Sequence, residues 1–122
     1  MRVDAVRRHL ERRGVGEHVV EGGLDYLVAS WAKTAADAES GERWCEDEWL
    51  NDLDGREILQ DLFDHVPESR HALDAVEAAD SRFAASTTPT DECRWGDDNA
   101  ARHGWTRERS WWYWRRPSTP YL

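Results

Sequence analysis

The chain has 122 residues, with 25 acidic and 16 basic side chains and a formal net charge of -9. Its length suits one domain with a single core, and eight tryptophans argue against a disordered chain. No apolar run approaches the roughly 18 residues that a membrane span needs, and the start lacks the apolar stretch of a secretion signal. We therefore expect a bacterial-type protein that is cytoplasmic or is delivered without a Sec signal. In the cytosol both cysteines should stay reduced.

The charge is distributed unevenly along the chain. Residues 1–16 carry a net +3, residues 17–92 a net -15 and residues 93–122 a net +3. Duplex nucleic acid is a poor partner for so acidic a body, because phosphate binding needs basic surface. We predict one helical domain: a basic N-terminal helix over 1–16, an acidic helical body over 17–85, and a loop with a Trp/Arg-rich tail, 86–122, docked on that body.

The first helix is predicted over residues 2–13. Val3, Val6 and Leu10 are spaced by three or four positions, which places them on one narrow apolar stripe. Gly14 follows two arginines and tolerates the left-handed backbone that ends many helices. The helix should therefore end there.

The second helix has the strongest periodicity in the chain. Its apolar residues recur every three or four positions from Leu24 onward, which traces one helix face. Gly22-Gly23, upstream, is either a break or a place where another element packs closely. Ser40-Gly41 should end the helix. The apolar face consists of Leu24, Leu27, Val28, Trp31, Ala32, Ala35 and Ala38.

Residues 46–66 carry two apolar stripes that point in roughly opposite directions at 100° per residue. A break at Leu53-Asp54 would reconcile them, with Asp54 as the N-cap of a new helix and Glu57 completing a capping box. Pro67 should end that helix. The first stripe is Trp49, Leu50 and Leu53, and the second is Ile58, Leu59, Leu62, Phe63 and Val66.

A last helix is predicted over residues 68–85, and the Ser/Thr/Pro-rich stretch that follows it is typical of a loop. Residues 111–114 then suit a short extended segment. Trp112 and Trp114 would lie buried against the helices, with Trp111 and Tyr113 on the other side, partly covered by arginine. The predicted fold is thus all-α, a small bundle of four to five helices closed by an extended Trp-rich C-terminal segment.

No motif in the sequence indicates a metal site or a catalytic centre. Aligning Gly55 with the glycine of an EF-hand loop puts Leu50 at the first ligand position, where a carboxylate is needed. The cysteines and histidines show no zinc spacing, and there is no nucleophile elbow or phosphate-binding loop. We predict no cofactor, no metal and no enzymatic activity. The side chains that could in principle bind zinc are Cys45, Cys93, His65, His71 and His103.

The two hypotheses for function use different parts of the chain. The first is a non-enzymatic interaction module whose carboxylates bind a basic protein partner, for example an immunity or inhibitor protein. The alternative is a nucleic-acid or membrane-surface adaptor acting through the tail. The predicted partner-binding residues are Glu46, Asp47, Glu48, Asp52, Asp61 and Asp64. The alternative tail site consists of Arg107, Arg109, Trp111, Tyr113 and Arg115. Docking of the tail as a clamp on the core is favoured over either ligand role.

Overall fold

The computed structural model describes residues 4–122, and most of these residues are helical. The predicted fold class is confirmed: 71% of the described residues are helical, and a small two-stranded antiparallel sheet is also present. Within the described residues, no helix combines the length and the apolar character needed to cross a membrane. The elements are α1 (Ala5–Arg13), α2 (Glu17–Ser40), α3 (Glu46–His65), α4 (Leu73–Ser86), β1 (Thr87–Pro89), α5 (Asp97–His103) and β2 (Arg115–Pro117). Two 3₁₀ turns, Pro67–Ala72 and Trp111–Trp114, precede α4 and β2.

The predicted C-terminal ends of the first two helices are confirmed, but Asp4, predicted to lie inside the first helix, is instead its N-cap. α1 begins after Asp4, whose side chain accepts a hydrogen bond from the Arg7 amide at 3.2 Å. It ends at Gly14, and α2 ends at Gly41, both in the left-handed region with φ of 77° and 75°. The predicted contribution of Val3 to the first stripe lies outside the described residues.

Gly23 produces the break that the sequence allowed within α2. Its φ of 64° and ψ of -152° are not helical and divide the helix into two segments. A side chain is strongly disfavoured in that conformation, so glycine is required there. The longer segment then runs to Ser40, and α2 packs against α3 and α4.

The predicted break in α3 is wrong, because the helix runs without interruption from Glu46 to His65. Asp54 lies inside it and is not an N-cap. Both apolar stripes are buried except for the half-buried Ile58, since α3 packs against α2, against the turn Pro67–Ala72 and against the turn Trp111–Trp114. A helix covered on opposite sides needs no break to bury two stripes. The fully buried residues on it include Trp49, Leu53, Leu59 and Leu62.

The prediction for the helix after α3 is partly correct. The segment Pro67–Ala72 is a 3₁₀ turn, and the α-helix begins only at Leu73 and ends at Ser86. The loop prediction for the following stretch missed α5. That helix has acidic residues in its first turn, basic residues in its last turn and a left-handed Gly104 after it, which are ordinary helix signals.

The tail closes the core, but not as the predicted extended segment. Residues 111–114 form a 3₁₀ turn, and the strand begins only afterwards as β2, which pairs antiparallel with β1. A 3₁₀ helix has three residues per turn, whereas side chains in a strand alternate between two faces. The consecutive Trp112 and Tyr113 are therefore both buried, and Trp111 and Trp114 are partly exposed. The predicted pairing of Trp112 with Trp114 in the core is therefore wrong.

Candidate functional site

Three exposed carboxylates occupy the first turn of α3, and we name residues 46–48 the acidic patch. Glu46, Asp47 and Glu48 are all exposed. Across residues 4–122, none of the three forms an ion pair; Glu48 Oε1 accepts a hydrogen bond from Cys45 Sγ at 3.0 Å. Acidic side chains stabilise a helix N-terminus through its dipole, which gives the patch a structural role as well.

Asp52 lies next to the acidic patch, one turn further along α3, and is half-buried. Its Oδ2 accepts a hydrogen bond from Trp44 Nε1 at 2.9 Å. Burial raises the pKa of Asp52, the hydrogen bond from Trp44 opposes that rise, and the nearby charges of Glu48 and Asp37 add to it. Asp52 therefore adds a fourth, partly shielded carboxylate to this end of α3.

The predicted carboxylates at the other end of α3 are engaged within the protein. Asp61 is 15 positions beyond Glu46, which places it about 22 Å away along the helix axis. Asp64 Oδ2 accepts a hydrogen bond from Arg109 Nη2 at 3.0 Å. The structure therefore divides the six predicted partner-binding residues into two groups: residues 46–52 at one end, and Asp61 with Asp64 at the other.

Asp61 is the centre of a small ionic cluster. Its Oδ2 lies 2.6 Å from His9 Nε2 and 3.2 Å from Arg13 Nη1, and its Oδ1 lies 3.1 Å from His65 Nδ1. Partial burial acts to raise the pKa of Asp61, but the His9 hydrogen bond and the Arg13 charge outweigh it and lower that pKa. The cluster joins the C-terminal half of α1 to the end of α3.

A cleft of about 860 Å³ opens beside this cluster, between α3 and the C-terminal tail. Its walls combine carboxylates, arginines and aromatic rings, and Trp105 stacks on Tyr113 with ring centroids 4.1 Å apart. No pattern in the sequence indicated this cleft. The residues that line it are Arg13, Val15, Asp54, Glu57, Ile58, Asp61, Trp95, Asn99, His103, Gly104, Trp105, Arg109 and Tyr113.

Asp54 is the polar centre of the cleft wall. Its Oδ1 accepts hydrogen bonds from the Tyr113 hydroxyl at 2.7 Å and from Trp95 Nε1 at 2.9 Å. Burial raises the pKa of Asp54, and these two hydrogen bonds oppose the rise. Burial, with the adjacent Asp54 charge, strongly raises the pKa of the Tyr113 phenol, so Tyr113 stays a protonated donor. Asp54 thus ties the tail and the Trp95 segment to α3.

Glu57 makes a second tie between α3 and the tail. It is 5% exposed, and it accepts hydrogen bonds from Arg109 Nη1 at 2.8 Å and from Ser110 Oγ at 2.9 Å. Arg109 also reaches Asp64, so the guanidinium bridges two carboxylates of α3. Glu57 and Arg109 therefore form an ion pair that links α3 to the tail.

The predicted alternative site in the tail is largely committed to the fold. Arg115 donates from Nε to Thr87 Oγ1 at 2.6 Å and from Nη2 to two backbone carbonyls. Arg109 and Tyr113 bind carboxylates of α3, and Trp111 packs against the core. Arg107 is exposed and donates to the carbonyl of Thr90. The five residues do not form one free surface.

Comparison of the chain with protein-family models, with curated proteins and with solved structures finds no significant match.

Proposed function

We propose that the protein is a non-enzymatic interaction module whose acidic patch binds a basic protein partner. The most concrete version is an immunity- or inhibitor-type protein that neutralises such a partner. The observation that carries the proposal is the exposure of three consecutive carboxylates that pair with no described cation. Free charges of one sign steer a partner of the opposite sign and select its orientation.

Among the described residues, no cation forms an ion pair with the patch. Arg43, the nearest in sequence, donates to the carbonyls of Pro120 at 3.2 Å and Tyr121 at 2.9 Å. Lys33 pairs with Asp37 at 2.6 Å. At the far end of α3, Arg13 from α1 and Arg109 from the tail pair with carboxylates. The absence of an ion-pair partner among the described residues supports the proposal that an external cation binds this end of α3.

The tail hypothesis has less support. A single-strand binder needs aromatic faces and arginines that are free to stack and to contact phosphate. Trp112 and Tyr113 are 0% and 1% exposed, and Arg109 and Arg115 are engaged in the bonds described above. We expect single-stranded oligonucleotide and anionic vesicles to leave the tryptophan fluorescence unchanged; salt-sensitive quenching or a blue shift would instead support the adaptor.

The test begins with native co-purification from the source organism at low salt and identification of the bound protein by mass. Affinity for that partner is then measured for the wild type and for the triple variant Glu46→Gln, Asp47→Asn, Glu48→Gln. We expect the variant to bind at least about tenfold more weakly, mainly through slower association, and to show a weaker dependence on salt.

A matched control removes the same three charges elsewhere on the surface. The control variant is Glu68→Gln, Asp74→Asn, Glu77→Gln. These exposed carboxylates lie in the 3₁₀ turn Pro67–Ala72 and in α4. This variant should bind within about twofold of the wild type, because charges outside the centre of a contact contribute little. Equal losses in both variants, or a partner that is not basic, would refute the proposal.

A further inference from the structure

We propose that His9, Asp61 and His65 form a binding site for a divalent transition-metal ion such as Zn²⁺. Each residue offers one ligand atom, and these atoms all lie within 4.8 Å of one another. Across the part of the chain that the structure describes, this is the one such grouping of three histidine, cysteine or carboxylate side chains. The site is independent of the acidic patch.

The ligand set favours a transition metal over a hard cation. Two imidazole nitrogens and one carboxylate oxygen suit Zn²⁺ and neighbouring first-row ions, whereas Ca²⁺ and Mg²⁺ prefer oxygen ligands throughout. Three protein ligands also leave at least one coordination position for water or another small ligand. Cysteine takes no part, so the expected coordination contains no sulfur.

The ligand atoms need to shift only slightly to admit a metal ion. Tetrahedral ligands at about 2.0–2.1 Å from zinc lie about 3.4 Å from one another. Asp61 lies 2.6 Å from His9 Nε2 and 3.1 Å from His65 Nδ1, so these atoms would move apart by about 0.8 Å and about 0.3 Å to admit an ion. His65 Nδ1 would also give up its 3.0 Å contact with the Asp61 carbonyl. The imidazole rings stand nearly parallel, at 17°, with centroids 5.7 Å apart. His65 is 60% exposed and can rotate to complete the set.

The fold holds the ligands in place from two sides. Asp61 and His65 are four residues apart on α3 and therefore lie on the same face of consecutive turns. His9 comes from α1, between Val6 and Leu10, both of which are buried in the core. The position of His9 is thus set by packing, and its side chain is only 17% exposed.

Arg13 contacts the Asp61 carboxylate and orients it, as outer residues commonly do for metal ligands. Its Nη1 lies 3.2 Å from Asp61 Oδ2, one α1 turn beyond His9. Outer contacts of this kind orient a ligating carboxylate, and their loss weakens metal binding. Metal binding at this place would fasten α1 to the end of α3.

The test uses the untagged full-length protein, freed of metal by chelation and titrated with Zn²⁺ by calorimetry and with Co²⁺ by visible absorption. We expect one equivalent to bind, with cobalt bands typical of nitrogen and oxygen ligands and no thiolate charge-transfer band. Zn²⁺ should also raise the melting temperature, and EDTA should reverse that rise.

The variants His65→Ala and His9→Gln should each weaken binding by at least about tenfold. His65 is mostly exposed, so its replacement should leave the far-ultraviolet spectrum unchanged and keep the test valid if His9→Gln unfolds. The control His71→Ala removes another exposed histidine outside the cluster and should bind like the wild type. Absence of stoichiometric binding, or binding that survives His65→Ala, would show a histidine–aspartate ion pair without a metal site.

Discussion

Asp54 has a structural role that its local sequence does not indicate. With Glu57 three positions later, Asp54 has the sequence pattern of a helix N-cap. It instead accepts hydrogen bonds from Trp95 and Tyr113, which lie 41 and 59 positions further along the chain. Local sequence patterns report contacts within about one helical turn. Contacts with the tail depend on how the whole chain folds, so the sequence could not indicate them.

Replacement of Asp54 by asparagine or alanine should give very different free energies of unfolding. Asparagine keeps an acceptor oxygen for Tyr113 and Trp95 and removes a buried charge, so Asp54→Asn should change stability by less than about 1 kcal/mol. Asp54→Ala leaves the hydroxyl of the buried Tyr113 without its acceptor and should cost about 1–3 kcal/mol, whereas the exposed Trp95 can bond to water instead. Urea unfolding followed by circular dichroism measures both changes; equal losses would contradict the assigned role.

The raised pKa of Asp54 also predicts the sign of a pH effect. Since the folded protein favours the protonated carboxyl, the charge is unfavourable above the folded pKa, and this unfavourable contribution fades as the pH falls through it. The stability of Asp54→Asn relative to the wild type should therefore be highest near neutral pH and should decline on acidification. An increase on acidification would contradict the assigned pKa direction.

At the scale of the elements, glycines on two neighbouring helices provide a matched test of the kink in α2. Gly23 has the non-helical φ of 64°, whereas Gly55 lies within the regular helix α3, where a Cβ would meet no neighbouring side chain within 4 Å. Gly23→Ala should destabilise the protein by about 1–3 kcal/mol. Gly55→Ala should stabilise it by up to about 1 kcal/mol. Thermal unfolding separates the two, and a stabilising Gly23→Ala would exclude the kink.

The C-terminal ends of the first two helices were predictable from the sequence, but the environment of each helix was not. Gly14 and Gly41 mark ends because the left-handed backbone is a local property of glycine. The continuity of α3 depends on partners that cover it on opposite sides. A residue such as Arg56, which is 4% exposed and pairs with Asp80 at 2.8 Å, becomes part of the interior only because α4 supplies the carboxylate.

At the scale of the whole molecule, the tail is part of the core, and Trp112 is its most informative residue. It is 0% exposed, and the Arg56 guanidinium lies 4.2 Å from its ring centroid. Trp112→Ala should cost about 3–5 kcal/mol through the cavity that it leaves. Tyr26→Ala, at an aromatic residue that is 42% exposed, should cost much less. Comparable losses in urea unfolding would contradict the docking of the tail.

The candidate site was predictable only in part. The charge pattern of the sequence indicated an acidic surface, and the exposed residues 46–48 match that expectation. The sequence could not show that Asp61 and Asp64 are paired, because Arg13 and Arg109 reach them from 48 and 45 positions away. The contact between His9 and Asp61 was equally unpredictable, since the two residues lie on different helices and no spacing rule connects them.

The most direct test of the proposed function is amide hydrogen–deuterium exchange of the protein, free and bound to its co-purified partner. We predict slower exchange on binding over residues 41–52, which contain the acidic patch and the loop before it, and unchanged exchange over residues 105–116. Slower exchange confined to the tail, with no change over residues 41–52, would contradict the proposal.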